Sequence, residues 1–320
     1  MKSSSHLERT LESGVFAVTA ELGPPRGTSA SSIRKNAGLL RNCADAVNVT
    51  DNQTAVVRMA SLAACAMLKQ EGLEPVMQMC ARDRNMIAIQ SDILGAVALG
   101  IRNLLCLSGD HQKFGNHPMA KNVFDLDSIQ MVQMVKGMRD EGKFFSGDKI
   151  SGKVDLFIGA AANPFADPFE FRVTRLAKKV KAGADFVQTQ GVFDLDRFRR
   201  WMDMVRDQGL DEKVHILAGI IPIRSAGMAR YMRDYVAGLL VPDEIVTRME
   251  DAPEPRGEGI KISLETIEAV RQIPGIHGIH IMAVAWEEVV PEIVERAGLL
   301  PRPQFAKGED DGGESKDSGG

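Results

Sequence analysis

Short apolar runs alternate along the chain with stretches whose apolar positions recur at helical spacing. The runs are Val15–Leu22, Ala46–Thr50, Pro75–Cys80, Asn103–Leu107, Asp155–Ala161, Phe186–Val192, His215–Ile221 and Gly278–Val284. Each is rich in Val, Ile, Leu or Ala and nearly continuous rather than strictly alternating. That pattern predicts strands covered on both faces, as in a parallel sheet.

Helical periods fill the intervals. Phe169, Val173, Leu176 and Val180 recur at i, i+4, i+7 and i+11, while Arg172, Arg175, Lys178 and Lys179 occupy other faces. The spacing predicts a helix opened by Asp167 as N-cap with Pro168 in the first turn, and stopped near Ala182-Gly183. After the sixth run, Leu195, Phe198, Trp201, Met202 and Val205 repeat the pattern.

Eight strand-then-helix units in one chain predict an α/β fold, a single-domain (β/α)8 TIM barrel over residues 1–302. Rim insertions are expected at His111–Val123, Gly142–Lys153 and the acidic, proline-containing Val241–Gly259. An open doubly wound sheet is the competing architecture. Its dinucleotide-binding form needs G-x-G-x-x-G after an early strand, whereas the first run leads into Glu21-Leu22-Gly23-Pro24-Pro25-Arg26. Residues 303–320 are low in apolar side chains and predict a disordered acidic tail.

Charge narrows the function classes. The 320 residues carry 39 Lys and Arg against 43 Asp and Glu, a net −4, which disfavours a broad nucleic-acid face. Aromatic residues make up 5%, with no aromatic-basic stacking surface. No run is long enough to span a membrane, and the first residues lack the apolar core of a signal peptide. Cys43, Cys65, Cys80 and Cys106 lack metal-finger spacing and read as buried reduced thiols, so a cytoplasmic location is expected.

In a barrel the chemistry gathers where the strands end. Glu21, between an apolar run and a Gly-Pro-Pro turn, is the sharpest candidate. A carboxyl group in a partly dry pocket holds its proton to higher pH and can deliver it near neutrality. The structural alternative is a support role, paired with Arg26 or a neighbour. Gln188 and Gln190 share a strand face, and an amide suits a ring with donor and acceptor edges; a satisfied core glutamine is the alternative. Asp110 follows Ser108-Gly109, where backbone can approach a ligand closely, though a turn aspartate is the commoner role. The run Ala81–Asn85 reads as a salt-bridged loop in preference to an anion site.

Other signals are discounted. Gly147–Val154 resembles a phosphate loop but ends in Val and leads into a strand. His277 and His280, three apart on a strand, face opposite sides and cannot share a metal. No metal site is expected.

The strand-end motifs resemble those of the FAD-dependent 5,10-methylenetetrahydrofolate reductase family. They are TAELGPPRG (Thr19–Gly27), VNVTDN (Val47–Asn52), CARDRN (Cys80–Asn85), LCLSGDH (Leu105–His111), AAANPFADP (Ala160–Pro168), KKVKAGADFVQTQGVFD (Lys178–Asp194) and GIHIMAV (Gly278–Val284). The resemblance implies a folate- and flavin-binding oxidoreductase of one-carbon metabolism and methionine biosynthesis. It implies Glu21 as catalytic acid and Asp110 beside the flavin pyrimidine edge, with Gln190 and Gln188 toward the folate. FAD would be held around Thr50, Ser108, Gly109, Asp110, Ala162, Asn163, Asp167 and Lys179. Hydride would pass from reduced FAD N5 to the methylene carbon of the folate, and the flavin would then be reloaded in a separate half-reaction.

The chain departs from the familiar pattern at several points. Asn163 stands where an aromatic residue packs on the cofactor, Asp167 where some members have His, and Arg172 and Arg175 where smaller polar or acidic residues occur. MAVAWEE (Met282–Glu288) replaces an aromatic run ending in Arg. These features resemble a branch of anaerobic bacteria, so the implied donor is NADH, NADPH or a redox partner protein. A homo-oligomer is expected. The competing functions are a subunit of a larger redox complex and a flavin-free pterin-binding methyltransferase barrel.

Overall fold

The computed structural model describes residues 1–305. Eight strands follow in chain order: β1 (Ala17–Leu22), β2 (Ala46–Val49), β3 (Pro75–Cys80), β4 (Asn103–Leu107), β5 (Phe157–Ala162), β6 (Phe186–Gly191), β7 (His215–Ile220) and β8 (Gly278–Ile281). Each pairs in parallel with its sequence neighbours, and β8 pairs with β1 to close the barrel. The expected (β/α)8 architecture is the one observed.

Around the barrel stand α1 (His6–Glu12), α2 (Ser31–Leu40), α3 (Ser61–Gln70), α4 (Met86–Ala98), α5 (Ser128–Asp140), α6 (Phe171–Ala182), α7 (Leu195–Asp207), α8 (Ala226–Tyr235), α9 (Asp243–Asp251), α10 (Pro255–Arg271) and α11 (Val290–Arg296). The period of two sorts each strand between two environments. In β1, Val18, Ala20 and Leu22 join the core shared with the helices, whereas Ala17 joins the interior cluster. This is why the strands read as continuous apolar runs: both faces are covered.

The barrel interior is layered. At the N-terminal ends of the strands, Ala17, Ala46, Val76, Leu105, Phe157, Phe186 and Leu217 form an apolar plug with Leu7 and Leu11 of α1. Phe157 and Phe186 stack with ring centroids 5.1 Å apart. A Cβ at Gly159 would fall 2.3 Å from the Phe186 ring, so glycine there makes room for the stack. Truncating either ring to Ala would cost about 3–5 kcal/mol. Helix α1 is seated by its own polar groups: Ser5 Oγ accepts from Glu8 N, and Glu8 accepts from the backbone of Lys2, Ser3 and Ser4. Burial pushes the Glu8 carboxyl up, but these donors outweigh it and hold it below the usual range.

Some boundaries differ from the sequence reading. Helix α6 begins at Phe171, not at Asp167-Pro168; the Asp167 carboxylate bonds Arg197 at 2.7 Å instead of capping a helix. Val241–Gly259, expected as a rim insertion, contains α9 and the start of α10. Pro242 is the N-cap of α9, and Pro255 occupies the first turn of α10, where a missing N–H has no intrahelical partner to lose. Val15 and Phe16 precede β1, and Met282–Val284 follow β8 in a turn closed by Val284 N to Met282 O. Beyond residue 302, Phe305 packs edge-on against His6 at 5.2 Å. The rest of the expected acidic tail, 306–320, lies outside the described residues.

Candidate functional site

Above the apolar plug lies a polar layer. Thr19, Asn48, Gln188 and His280 point inward from β1, β2, β6 and β8 and are all nearly fully buried. Asn48 Nδ2 donates to Gln188 Oε1 at 2.6 Å, and Gln188 Nε2 donates to Asn48 Oδ1 at 3.0 Å and Thr19 Oγ1 at 3.1 Å. Thr19 Oγ1 lies 3.0 Å from His280 Nδ1. A buried polar layer in an apolar barrel is tolerated because its members satisfy one another.

Over this layer, at the C-terminal strand ends, opens a cavity of about 360 Å3. Glu21 and Gln78 line it on one side, and Ala162, Asn163, Arg172, Arg175 and Lys179 on the other. Ser108, Gln188, Gln190, His280 and Met282 also border it.

The Glu21 side chain is 14% exposed. Gln78 Nε2 donates to its Oε2 at 3.4 Å, and His280 Nε2 stands 3.8 Å from the same oxygen. The alternative pairing with Arg26 is not formed. Glu287, in the turn after β8, lies within the field of Glu21. Burial first, then the charges of Glu288 and Glu21, push the Glu287 carboxyl above its usual range.

The two glutamines have different surroundings. Gln188 is spent on Asn48 and Thr19, as the core alternative describes, although it still borders the cavity floor. Gln190 follows an irregularity in the β6–β7 register between Gln188 and Gly191. Thr189 Oγ1 donates to Gln190 O at 2.9 Å and accepts from Gly219 N at 2.9 Å, fixing that irregularity. Gln190 Oε1 accepts from Gly191 N at 3.3 Å, and its amide N–H groups have no protein acceptor among the described residues.

Lys179 reaches the cavity from α6, and its ammonium donates to Ala161 O. Burial, with the nearby Arg175 charge adding to it, brings its pKa down to about 8. Arg172 donates to the backbone oxygens of Asp167 and Pro168. Among the described residues no carboxylate pairs with Arg172, Arg175 or Lys179, so this wall is electropositive.

The remaining candidates fall outside the cavity walls. Asp110 is exposed; its Oδ2 accepts from Thr54 N at 3.1 Å and its backbone oxygen from Arg82 Nη1 at 3.0 Å. Gly109 has φ +87, and an added Cβ would lie 3.1 Å from Cys80 and 3.2 Å from Arg82, so only glycine fits that turn. Thr50 is buried, and its Oγ1 has no partner among the described residues. Asp167 is an exposed partner of Arg197. The cavity therefore unites Glu21, Gln188, Gln190, Ser108, Ala162, Asn163 and Lys179, and leaves Thr50, Gly109, Asp110 and Asp167 around it.

The run Ala81–Asn85 is salt-bridged, as expected. Arg82 pairs with Asp83 at 2.6 Å, and Arg84 with Asp51 at 2.6 Å and Asp92 at 2.8 Å. His277 and His280 do diverge: His277 Nδ1 accepts from Ile216 N, whereas His280 meets Thr19 and Glu21. What the sequence reading missed is His280 itself, together with Thr19 and Asn48. Their signal was a polar residue at an inward position of an otherwise apolar strand. All four cysteines are free and buried; burial raises the thiols of Cys43 and Cys106 to about 11 and about 12. Among the described residues no group of three or more His, Cys, Asp or Glu could hold a metal, and no helix is long and apolar enough to cross a membrane.

The closed ring of eight parallel strands, with a polar cavity at its C-terminal mouth, defines a (β/α)8 barrel built to hold a ligand where such barrels hold theirs. The sequence profile described as methylenetetrahydrofolate reductase matches residues 6–298, and the chain belongs to that family. Methylenetetrahydrofolate reductase 1 of Schizosaccharomyces pombe is 28% identical over 209 residues, 63% of this chain and 32% of that protein. The 5,10-methylenetetrahydrofolate reductase of Escherichia coli is 23% identical over 208 residues, 63% of this chain and 62% of that protein. The chain thus matches about a third of the fungal relative's length. Among solved structures, an uncharacterized Clostridium thermocellum protein that binds two copies of 5-methyl-5,6,7,8-tetrahydrofolic acid superposes with a TM-score of 0.62 at 13% identity. That alignment covers 91% of this chain and 98% of the other, and supports the fold.

Proposed function

We propose that this protein is a flavin-dependent reductase converting 5,10-methylenetetrahydrofolate to 5-methyltetrahydrofolate, or running the reverse oxidation. The observation that carries the reading is the meeting of Glu21 and Gln190 at one mouth of the barrel, with family membership behind it.

The residues present fit FAD. Among the described residues the wall of Arg172, Arg175 and Lys179 has no carboxylate partner, which suits a pyrophosphate, and the orphaned Thr50 Oγ1 offers an unused polar atom at the strand-two end. Ser108, Ala162 and Asn163 complete that side. When bound, FAD supplies the hydride that the folate methylene carbon receives.

The protein's own residues do the rest. Glu21 donates a proton to the folate amine that leaves as the five-membered ring opens, which generates a cationic iminium carbon. Gln190, with amide donors to spare, orients the pterin ring. Asp110 stands outside the cavity wall, and its negative charge acts on the cation through the field rather than by contact. Apolar neighbours such as Leu105, Leu107 and Met282 limit water at the reacting carbon.

An anaerobic flavin spectrum tests the reading. The purified protein should bind FAD, bleach with NADH, NADPH or a redox protein, and recolour with methylenetetrahydrofolate. A protein that cannot be loaded with FAD contradicts it. Turnover seen only with a copurifying redox protein would favour the complex-subunit reading. Methyl transfer without flavin would favour the methyltransferase, which here lacks a thiolate set. Sedimentation checks the expected homo-oligomer.

A further inference from the structure

We infer that His280 is a positioning residue for Glu21, setting which carboxyl oxygen carries the transferable proton. The inference rests on reading Glu21 as the acid of the proposed reaction.

The argument starts from Thr19. Its hydroxyl oxygen receives an N–H from Gln188 at 3.1 Å and has one proton of its own to give. Two acceptors are within reach: Ile279 O at 3.3 Å and His280 Nδ1 at 3.0 Å. The imidazole nitrogen is the nearer of the two acceptors. With the hydroxyl donating into Nδ1, a neutral imidazole must carry its proton on Nε2.

That Nε2–H stands 3.8 Å from Glu21 Oε2, an electrostatic contact rather than a hydrogen bond. Gln78 Nε2 addresses the same oxygen at 3.4 Å. Gln188, Thr19 and His280 thus form a chain whose donors run toward one carboxyl oxygen, with Asn48 holding Gln188 in place by a reciprocal pair of bonds. Two donors facing Oε2 make it the acceptor oxygen when Glu21 is protonated, so the acidic proton sits on Oε1. Oε1 has no protein partner among the described residues and is the oxygen left for a ligand. His280 touches no ligand in this scheme; it orients the group that does.

The bland alternative is a buried histidine that merely completes the polar layer. Two measurements separate them. Nitrogen-15 NMR of the histidine side chains in the wild-type protein, assigned by loss of the signal in His280→Gln, reads the tautomer directly. The Nε2–H form is expected, and the Nδ1–H form overturns the inference. Kinetics give the second readout. His280→Gln keeps an N–H near the Nε2 position, whereas His280→Asn keeps only the contact with Thr19. The folate half-reaction should stay within about threefold in the Gln variant and slow about tenfold in the Asn variant, less than the roughly hundredfold of full misplacement. KM for the folate and the donor half-reaction should hold in both. Equal slowing by both variants, no slowing by either, or a loss confined to KM overturns it. If Glu21→Gln leaves the folate half-reaction intact, the acid reading itself fails, and the tautomer still reports separately on the donor chain.

Discussion

Gln188 and Asn48, 140 residues apart in the chain, exchange two side-chain hydrogen bonds across the barrel interior at 2.6 and 3.0 Å. This reciprocal pair fixes the floor on which the candidate site stands. Removing one partner leaves the other buried and unsatisfied. Asn48→Ala should therefore destabilise by about 1–3 kcal/mol in urea unfolding, as should Gln188→Ala. The double variant should lose less than the sum, because each deletion already breaks the shared bonds. Strict additivity would mean the exchange contributes nothing.

Glu21→Gln should keep the fold and flavin binding but slow reoxidation of the reduced flavin by methylenetetrahydrofolate at least about a hundredfold, the scale of general acid loss. Reduction by the enzyme's own donor should be unchanged. Stopped-flow absorbance of the two half-reactions separates these outcomes, and unaltered folate turnover removes Glu21 from the mechanism.

Asp110→Asn preserves an oxygen for the Thr54 N–H and removes only the charge. It should leave flavin affinity intact and slow the folate half-reaction by about tenfold, within the range of one lost electrostatic contact. An unchanged rate would reduce Asp110 to a clamp on the loop after β2.

Lys179 gives a pH signature. Its ammonium is the form that holds an anion, and burial brings its pKa to about 8, against 10.5 ordinarily. Affinity for a flavin phosphate should fall as pH rises through about 8. The ligand-free protein should show the opposite trend in stability. Between about 8 and 10.5 the unfolded chain binds more protons at this lysine than the folded one, so stability rises with pH there. Lys179→Met should flatten both profiles, checked by flavin fluorescence titration and by urea midpoints across pH.

The C-terminal limit of the barrel is testable as well. Arg302 pairs with buried Asp45 at 2.6 Å, and its Nη2 donates to Phe16 O at 2.9 Å. Arg302→Ala strips the guanidinium from a buried carboxylate that keeps only Val18 N and His6 beside it, and should destabilise by about 3 kcal/mol. Deleting residues 306–320 should leave the urea midpoint unchanged if the barrel is the whole folding unit.

The barrel was legible because parallel strands covered on both faces leave continuous apolar runs. Pro75–Cys80 and Asn103–Leu107 were read to the residue. The start of α6 was misread because Phe169 continues the helical period through a turn that ends only at Phe171. The helices α9 and α10 inside Val241–Gly259 were not legible from its acidic, proline-containing composition, although its prolines open them. At the site, Glu21 and Gln190 were legible from their place at strand ends. His280 was not, because it was weighed only as a metal ligand, and its role depends on Thr19, 261 positions away. The flavin-side roles of Asp110 and Asp167 came from the motif resemblance, which carries no information on where a loop side chain turns.

The seating of α1 has a further consequence. Leu7 and Leu11 shut the far end of the barrel against Phe157 and Phe186, so the ring of strands has one doorway. In the proposed reaction the electron donor and the folate would both approach through that mouth and stand over the same Glu21 and Gln190. Visitors to such a room come in turn, and a high concentration of either should crowd out the other.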